Sequence, residues 1–246
     1  PVESRRGLRL RLRRMAQLTL AAERSGAELV FLPPAEILQN EEKIRRLIGS
    51  GIRIGVELPR AVFGGERDRL LAQMKACREA GVRDALCGNL GNLPMAREAG
   101  LAVHGDFGLN IANLASREAL GRMGAVSCVI SFEAALRDAA EVNRRSAGGG
   151  SRPETGLIAY GRLPLMLVKN CPLKNGEGCA ACARGSPGGL TDRRHIFFPV
   201  VCFGGAGEVL NSRPLWMCDR REPMFATGAA FVSLYFSIEP PDEDSI

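Results

Sequence analysis

A glycine recurs at one fixed point of a repeating pattern, after a helix-like segment and just ahead of a short apolar run. SGIRIGVE, EAGVRDAL, EAGLAVHG and MGAVSCVI place Gly51, Gly81, Gly100 and Gly124 there, at spacings of 30, 19 and 24 residues. Glycine readily supplies the left-handed residue that ends a helix, so each marks a helix-to-strand junction. Helical periodicity runs over residues 4–24, 35–48, 65–80, 93–98, 112–122 and 133–140, and apolar runs lie at 28–32, 52–58, 83–88, 101–106 and 125–131. Short apolar runs separated by helices are the pattern of parallel strands covered on both faces. Such crossovers build either an open doubly wound sheet or a (β/α) barrel. No glycine-rich phosphate fingerprint follows the first run, which disfavours dinucleotide binding. The expected fold is therefore α/β, a partial (β/α) TIM-like barrel forming the C-terminal portion of a full one, with strands lacking on its N-terminal side.

The texture changes after residue 143. RRSAGGGSRPETG reads as a loop, GLIAYG (156–161) and LPLMLV (163–168) as two closely spaced strands, and the residues beyond them as β-rich and loop-rich. Three segments result: residues 1–142 as barrel units, 143–220 as the last barrel strands with a cysteine-containing segment, and 221–246 as a tail or linker to a missing region. The chain opens on Pro1 inside a helix-like pattern, so it reads as part of a longer parent protein. No apolar run of about 18 residues exists to span a membrane. No leader is visible either, and the expected compartment is the cytoplasm.

The net charge of +6 is uneven, because residues 1–14 hold six arginines against Glu3. Read as a helix, this segment is a solvated face or a contact for RNA or an acidic partner. Aromatic residues make up only 5% of the chain, which leaves few stacking platforms for single-stranded nucleic acid.

In a (β/α) barrel the chemistry collects at the C-terminal strand ends. Those positions here are Glu57, Cys87, Asn89, His104, Asp106, Ser131, Glu133 and Tyr160. His104 and Asp106 suit a base and its orienting group, or metal ligands, although a carboxylate there equally caps a turn. Glu57 and Glu133 are a candidate carboxylate pair, and Cys87 with His104 a candidate nucleophile and base, although Cys87 reads better as a buried thiol.

The stretch NCPLKNGEGCAACARGSPGGLTDRRHIFFPVVC holds Cys171, Cys179, Cys182 and Cys202, with seven, two and nineteen residues between successive cysteines. Thiolates at such spacing suit zinc or an iron–sulfur cluster. Disulfides are disfavoured in a reducing compartment, and the CAAC pair does not open a thioredoxin-like helix. Reduced structural thiols remain an alternative, with His195 a further candidate ligand.

The ordered motifs GNLGNLPMAREAGLAVHGDFGLNIANLAS, VISFE, YGRLPLMLVKNCP, LTDRRHIFFPV and LNSRPL resemble peptidase family U32, the collagenase-like peptidases, from about Ile52 to about Arg220. The resemblance implies a (β/α)-barrel-like catalytic domain with peptidase activity or, as in other members, oxygen-independent hydroxylation of RNA bases or ubiquinone precursors with a 4Fe–4S cluster. It implies cluster ligation by Cys171, Cys179, Cys182 and Cys202, with Cys218 as a replacement for one of them; zinc stays the alternative metal that the thiolates themselves allow. His104, Asp106, Asn110, Asn113, Tyr160 and Arg193 fall in its motifs. The expected catalytic candidates are His104, Asp106, Glu57, Glu133 and Tyr160, and the substrate contacts Asn89, Asn110, Asn113 and Arg193. The expected partner is a peptide, an RNA or a small-molecule substrate, and a non-catalytic zinc-stabilised module is a further alternative.

Overall fold

The structure is a computed structural model that describes residues 7–144, 152–174, 188–203 and 205–240. Its strands in chain order are β1 (Gly7–Leu12), β2 (Leu29–Leu32), β3 (Ile54–Glu57), β4 (Asp84–Cys87), β5 (Ala102–Gly105), β6 (Ala125–Val129), β7 (Glu154–Gly161), β8 (Pro164–Val168), β9 (Gly189–Thr191), β10 (Phe197–Phe203), β11 (Ala206–Leu210), β12 (Leu215–Trp216) and β13 (Phe231–Phe236). The helices are α1 (Leu20–Arg24), α2 (Pro34–Gln39), α3 (Glu41–Gly49), α4 (Glu66–Glu79), α5 (Asn92–Glu98), α6 (Leu114–Arg122), α7 (Leu136–Asn143) and α8 (Arg221–Ala226).

Strands β1 to β6 pair in parallel in sequence order, β6 pairs with β7, and β13 closes the ring between β7 and β1, again in parallel. The result is a closed eight-stranded TIM-like barrel. Between β7 and β13 the chain inserts a four-stranded antiparallel sheet in the order β8-β11-β10-β9, and β12 pairs antiparallel with the end of β7. The expected glycines do end helices: Gly51, Gly81, Gly100 and Gly124 have φ of 95°, 105°, 74° and 91°.

Two expectations are corrected at the ends of the described chain. Residues 4–24 do not form one basic helix, because Gly7–Leu12 is the first barrel strand and α1 is short. Leu8, Leu10 and Leu12 alternate with Arg9, Arg11 and Arg13, a period of two that belongs to a strand. The leucines face the helical layer, and all three arginines are buried, so these side chains offer no surface to RNA. Residues 221–236 are not a tail, since α8 and the eighth barrel strand β13 lie there. With β1 and β13 in place the barrel is complete within this chain.

The main apolar core lies between strands and helices and includes Leu10, Leu12, Val56, Ile37, Met74, Leu93 and Leu120. Cys77, Cys87 and Cys128 are wholly buried in it, as small hydrophobes. The barrel interior is different. It holds two small apolar clusters, Phe107–Val129–Ile158–Phe231 and Leu29–Phe31–Leu86, beside a column of charge. Gly55 makes room for Phe31, since a Cβ there would lie 2.5 Å from that ring.

Arg11 is the centre of that column, and removing it leaves two buried carboxylates without their cation. Arg11→Ala is expected to cost roughly 3–5 kcal/mol in chemical denaturation. Arg45→Ala breaks only an exposed helical pair with Glu41 and should cost less than about 1 kcal/mol.

Candidate functional site

Alternation along β1 aims Arg9, Arg11 and Arg13 into the barrel at successive heights. The Arg9 guanidinium lies 3.5 Å from the centre of the Phe231 ring and donates to Glu28 and to Ser127 Oγ at 2.6 Å. Arg11 donates to Asp106 Oδ2 at 2.8 Å and to Glu57 Oε1 at 2.7 Å, with Tyr235 beneath it at 4.1 Å. Arg13 reaches Glu57 Oε1 at 3.4 Å and Glu208 Oε2 at 3.0 Å, and stacks 4.3 Å from Phe203. Glu208 stands on β11 of the inserted sheet, and its other oxygen lies 3.6 Å from Arg60. The column thus runs out of the barrel mouth into the insert.

Charge balances at the mouth, with Arg11, Arg13 and Arg60 against Glu57, Asp106 and Glu208. Burial opposes the Arg11 charge, but Asp106 and Glu57 outweigh it and hold the guanidinium well above its ordinary value. Burial pushes the Asp106 carboxyl up, against the pull of Arg11. Arg11 Nε, Arg13 Nε, Glu57 Oε2 and Tyr235 OH are buried with no hydrogen-bond partner among the described residues. Buried polar atoms of this kind call for water or a ligand.

His104 sits deeper in the barrel. Its Nε2 is 2.9 Å from Asp84 Oδ1 and its Nδ1 is 2.7 Å from Ser127 Oγ. Ser127 Oγ accepts from Arg9, so the consistent assignment has its hydroxyl donating to Nδ1 and Nε2–H donating to Asp84. A second ring proton would face Arg9. Burial lowers the His104 pKa, with Arg9 adding to the shift and the Asp84 bond opposing it. At Asp84, burial is outweighed by the His104 bond and Arg53, which hold the carboxyl below its ordinary value.

The structure brings Glu57 and Asp106 together on Arg11 and places His104 below them. The other expected site residues lie elsewhere. Glu133 is exposed beyond β6, and Arg193 is exposed in the β9–β10 turn. The Tyr160 hydroxyl donates to Glu239 at 3.1 Å, and burial, then Glu239, pushes its pKa up to about 12. Asn89 shapes its own loop, donating to Arg60 O and accepting from Gly91 N–H. Asn113 caps α6 by accepting from Ser116 N–H, and exposed Asn110 has a left-handed φ of 53° before it. Burial, with Asp106, pushes the Cys87 thiol up to about 12, which removes the thiolate a nucleophile needs. The column arginines, Arg60, Asp84 and Glu208 were not among the expected site residues. The arginines and leucines of LRLRLR carried a readable signal in their period of two.

Of the cysteines in the loop stretch, Cys179 and Cys182 lie outside the described residues. Cys202 pairs in register with Gly207 across β10 and β11, so the two share a face of the sheet. A Cβ on Gly207 would lie 3.7 Å from Cys171 Cα, which puts Cys171 over that same face. Glu208, the next residue, points the opposite way toward Arg13. Cys171 and Cys202 therefore lie on the same side of the insert, the one that faces away from the arginine column. Cys218 lies apart, its Sγ 3.7 Å from Ala159 O. No group of three or more metal-binding side chains occurs among the described residues.

No protein-family model matches the chain, and no curated protein matches it. Among solved structures, the fold is similar to that of the U32 peptidase Mk0906, with a TM-score of 0.59 at 12% identity over 98% of this chain and 96% of that one. A mutant tryptophan synthase alpha-subunit from the hyperthermophile Pyrococcus furiosus gives a TM-score of 0.49 at 12% identity, over 93% of this chain and 86% of that one. At these identities the likeness to Mk0906 is one of fold: a U32-like barrel. Among the described residues no helix is long and apolar enough to cross a membrane.

The geometry of His104 fixes a sign for pH. Its folded pKa is lowered, so its neutral form stabilises the fold above the ordinary value of about 6.5, and that contribution is lost as pH falls through and below it. The denaturation midpoint of the wild type should drop between about pH 6.5 and pH 5. The drop should be smaller in His104→Gln, which has no proton to take up; equal slopes would contradict the assignment.

Proposed function

We propose that this chain is a U32-type barrel enzyme whose inserted sheet carries an iron–sulfur cluster, and that it acts by oxygen-independent hydroxylation of an RNA base or a quinone precursor. The observation that carries the reading is the placement of Cys171 and Cys202 on the same face of the insert, both beside Gly207. A Cβ at Gly207 would lie 3.1 Å from Val168 Cγ2 and 3.7 Å from Cys171 Cα, so glycine keeps the backbone there uncrowded. Two thiols beside an uncrowded backbone fit a soft metal group. Cys171, Cys179, Cys182 and Cys202 would hold it, with Cys218 in reserve and zinc as the alternative metal. A bound cluster supplies one-electron chemistry.

The chain's own residues set the frame for that chemistry. Glu208 on Arg13 and Arg60 fixes the height of β11 over the barrel mouth, and so fixes the face on which the cysteines stand. The mouth below is a buried, balanced set of charges in which Glu57 and Asp106 are both held by Arg11. A cytoplasmic setting suits the reduced thiols.

Peptide hydrolysis is the second reading, and the fold likeness to a U32 peptidase favours it. On that reading the carboxyls at the mouth are the acid–base groups, and burial of Asp106 keeps its carboxyl above the ordinary range.

Anaerobic purification with iron and sulfide analysis separates the readings. The expected result is a coloured protein with iron and sulfide in stoichiometric amounts, lost in Cys171→Ser and sharply reduced in Gly207→Val. Stoichiometric zinc without sulfide would overturn the cluster, and gelatin cleavage that disappears in Asp106→Asn would favour hydrolysis.

A further inference from the structure

The arginines inside the barrel are all matched by carboxylates, but among the described residues a second group of arginines at its rim is not. A cleft of about 410 Å³ opens between the ends of β7 and β13 and the neighbouring side of β10. Arg162, Ser212 and Arg213 line one part of it, and Phe197, Pro199 and Ile238 the other. Among the described residues no carboxylate lines it, and neither arginine makes an ion pair. Arg162 is held in place by its Nη1, which donates to Ser212 O and, at 3.3 Å, to Asn211 O. Its Nε is buried with no partner among the described residues. The side chain is thus fixed by backbone carbonyls that satisfy hydrogen bonds without cancelling charge. Beside it Arg213 is exposed, and Phe197 keeps 47% of its surface open.

We infer that this cleft is a binding site for a small amphipathic anion, an oxyanion carried on a flat apolar body. The two guanidiniums supply donors for a carboxylate or a phosphate, and the Ser212 hydroxyl, which donates to Asn211 Oδ1 at a long 3.5 Å, stands beside them. Phe197, Pro199 and Ile238 supply the wall for the apolar part, and the volume falls in the range of small-molecule pockets. The site lies at the C-terminal end of the barrel, where ligands of this architecture collect. It does not depend on a cluster, because the cysteine-bearing face of the insert is not part of its lining.

The test is titration calorimetry on the whole chain with phenylphosphate, phenylacetate, inorganic phosphate and acetate. Saturable binding of at least one aromatic probe, about tenfold tighter than its bare anion, is expected from the apolar wall. A preference for phenylphosphate identifies a phosphate-bearing ligand, and a preference for phenylacetate a carboxylate. Arg213→Glu should weaken binding by at least about tenfold while leaving the melting temperature in place, because the side chain is exposed. Phe197→Ala should weaken the aromatic probes and leave inorganic phosphate unchanged. Cys171→Ser should bind the probes as the wild type does, so loss of a cluster and loss of this site are separate results. Absence of saturable binding, affinity unchanged in Arg213→Glu, or bare anions bound as tightly as aromatic ones would overturn the proposal.

Discussion

One guanidinium, that of Arg11, lies between Glu57 and Asp106 at the centre of the barrel, and the arrangement of the mouth depends on it. Taking three charges out of water costs several kcal/mol for each ion unless geometry and partners are close to ideal. Here Arg11 meets both carboxylates within 2.8 Å and rests on Tyr235. The same strand repeats the device above and below, with Arg9 on Phe231 and Arg13 on Phe203. Each arginine has an aromatic face to lie against and a carboxylate to reach. An apolar interior of the same volume would pack the barrel without these ions. The ionic column instead ties specific strands to one another: β1 to β3 and β5 through Arg11, and β1 to the insert through Arg13.

That last link joins the two halves of the molecule. Glu208 is one residue from Gly207, so the ion pair on one face of β11 sets the position of the cysteine face on the other. Strand alternation does the rest. The insert works as a two-sided plate, with the charge latch and the rim cleft toward the barrel and Cys171 and Cys202 away from it. The proposed metal group on the outer face and the proposed anion site on the inner rim would therefore not crowd each other.

Much of this was legible in the sequence where periodicity and chemistry agreed. The four helix-ending glycines and the apolar runs after them located the strands β3 to β6, and the strand ends pointed to Glu57, His104 and Asp106. The first strand reads as a helix because LRLRLRR is rich in good helix formers and strongly charged, and a charged run is ordinarily a solvated face. Its period of two is the better signal, since only a barrel with carboxylates inside can bury such a strand. Closure by β13 could not be read locally, because FVSLYF declares its neighbour β1 only through tertiary pairing. The roles of Asn89 and Asn113 as loop and cap residues depend on turns whose geometry the sequence did not specify. Glu208 was invisible for the same reason: its partners lie 195 and 148 positions away in the chain.

A double-mutant cycle on Arg13 and Glu208 tests most directly whether the arginine column fixes the insert to the barrel. Denaturation of Arg13→Met, Glu208→Gln and the double variant should yield a coupling energy of roughly 1–3 kcal/mol. Additive effects, with a coupling near zero, would contradict it.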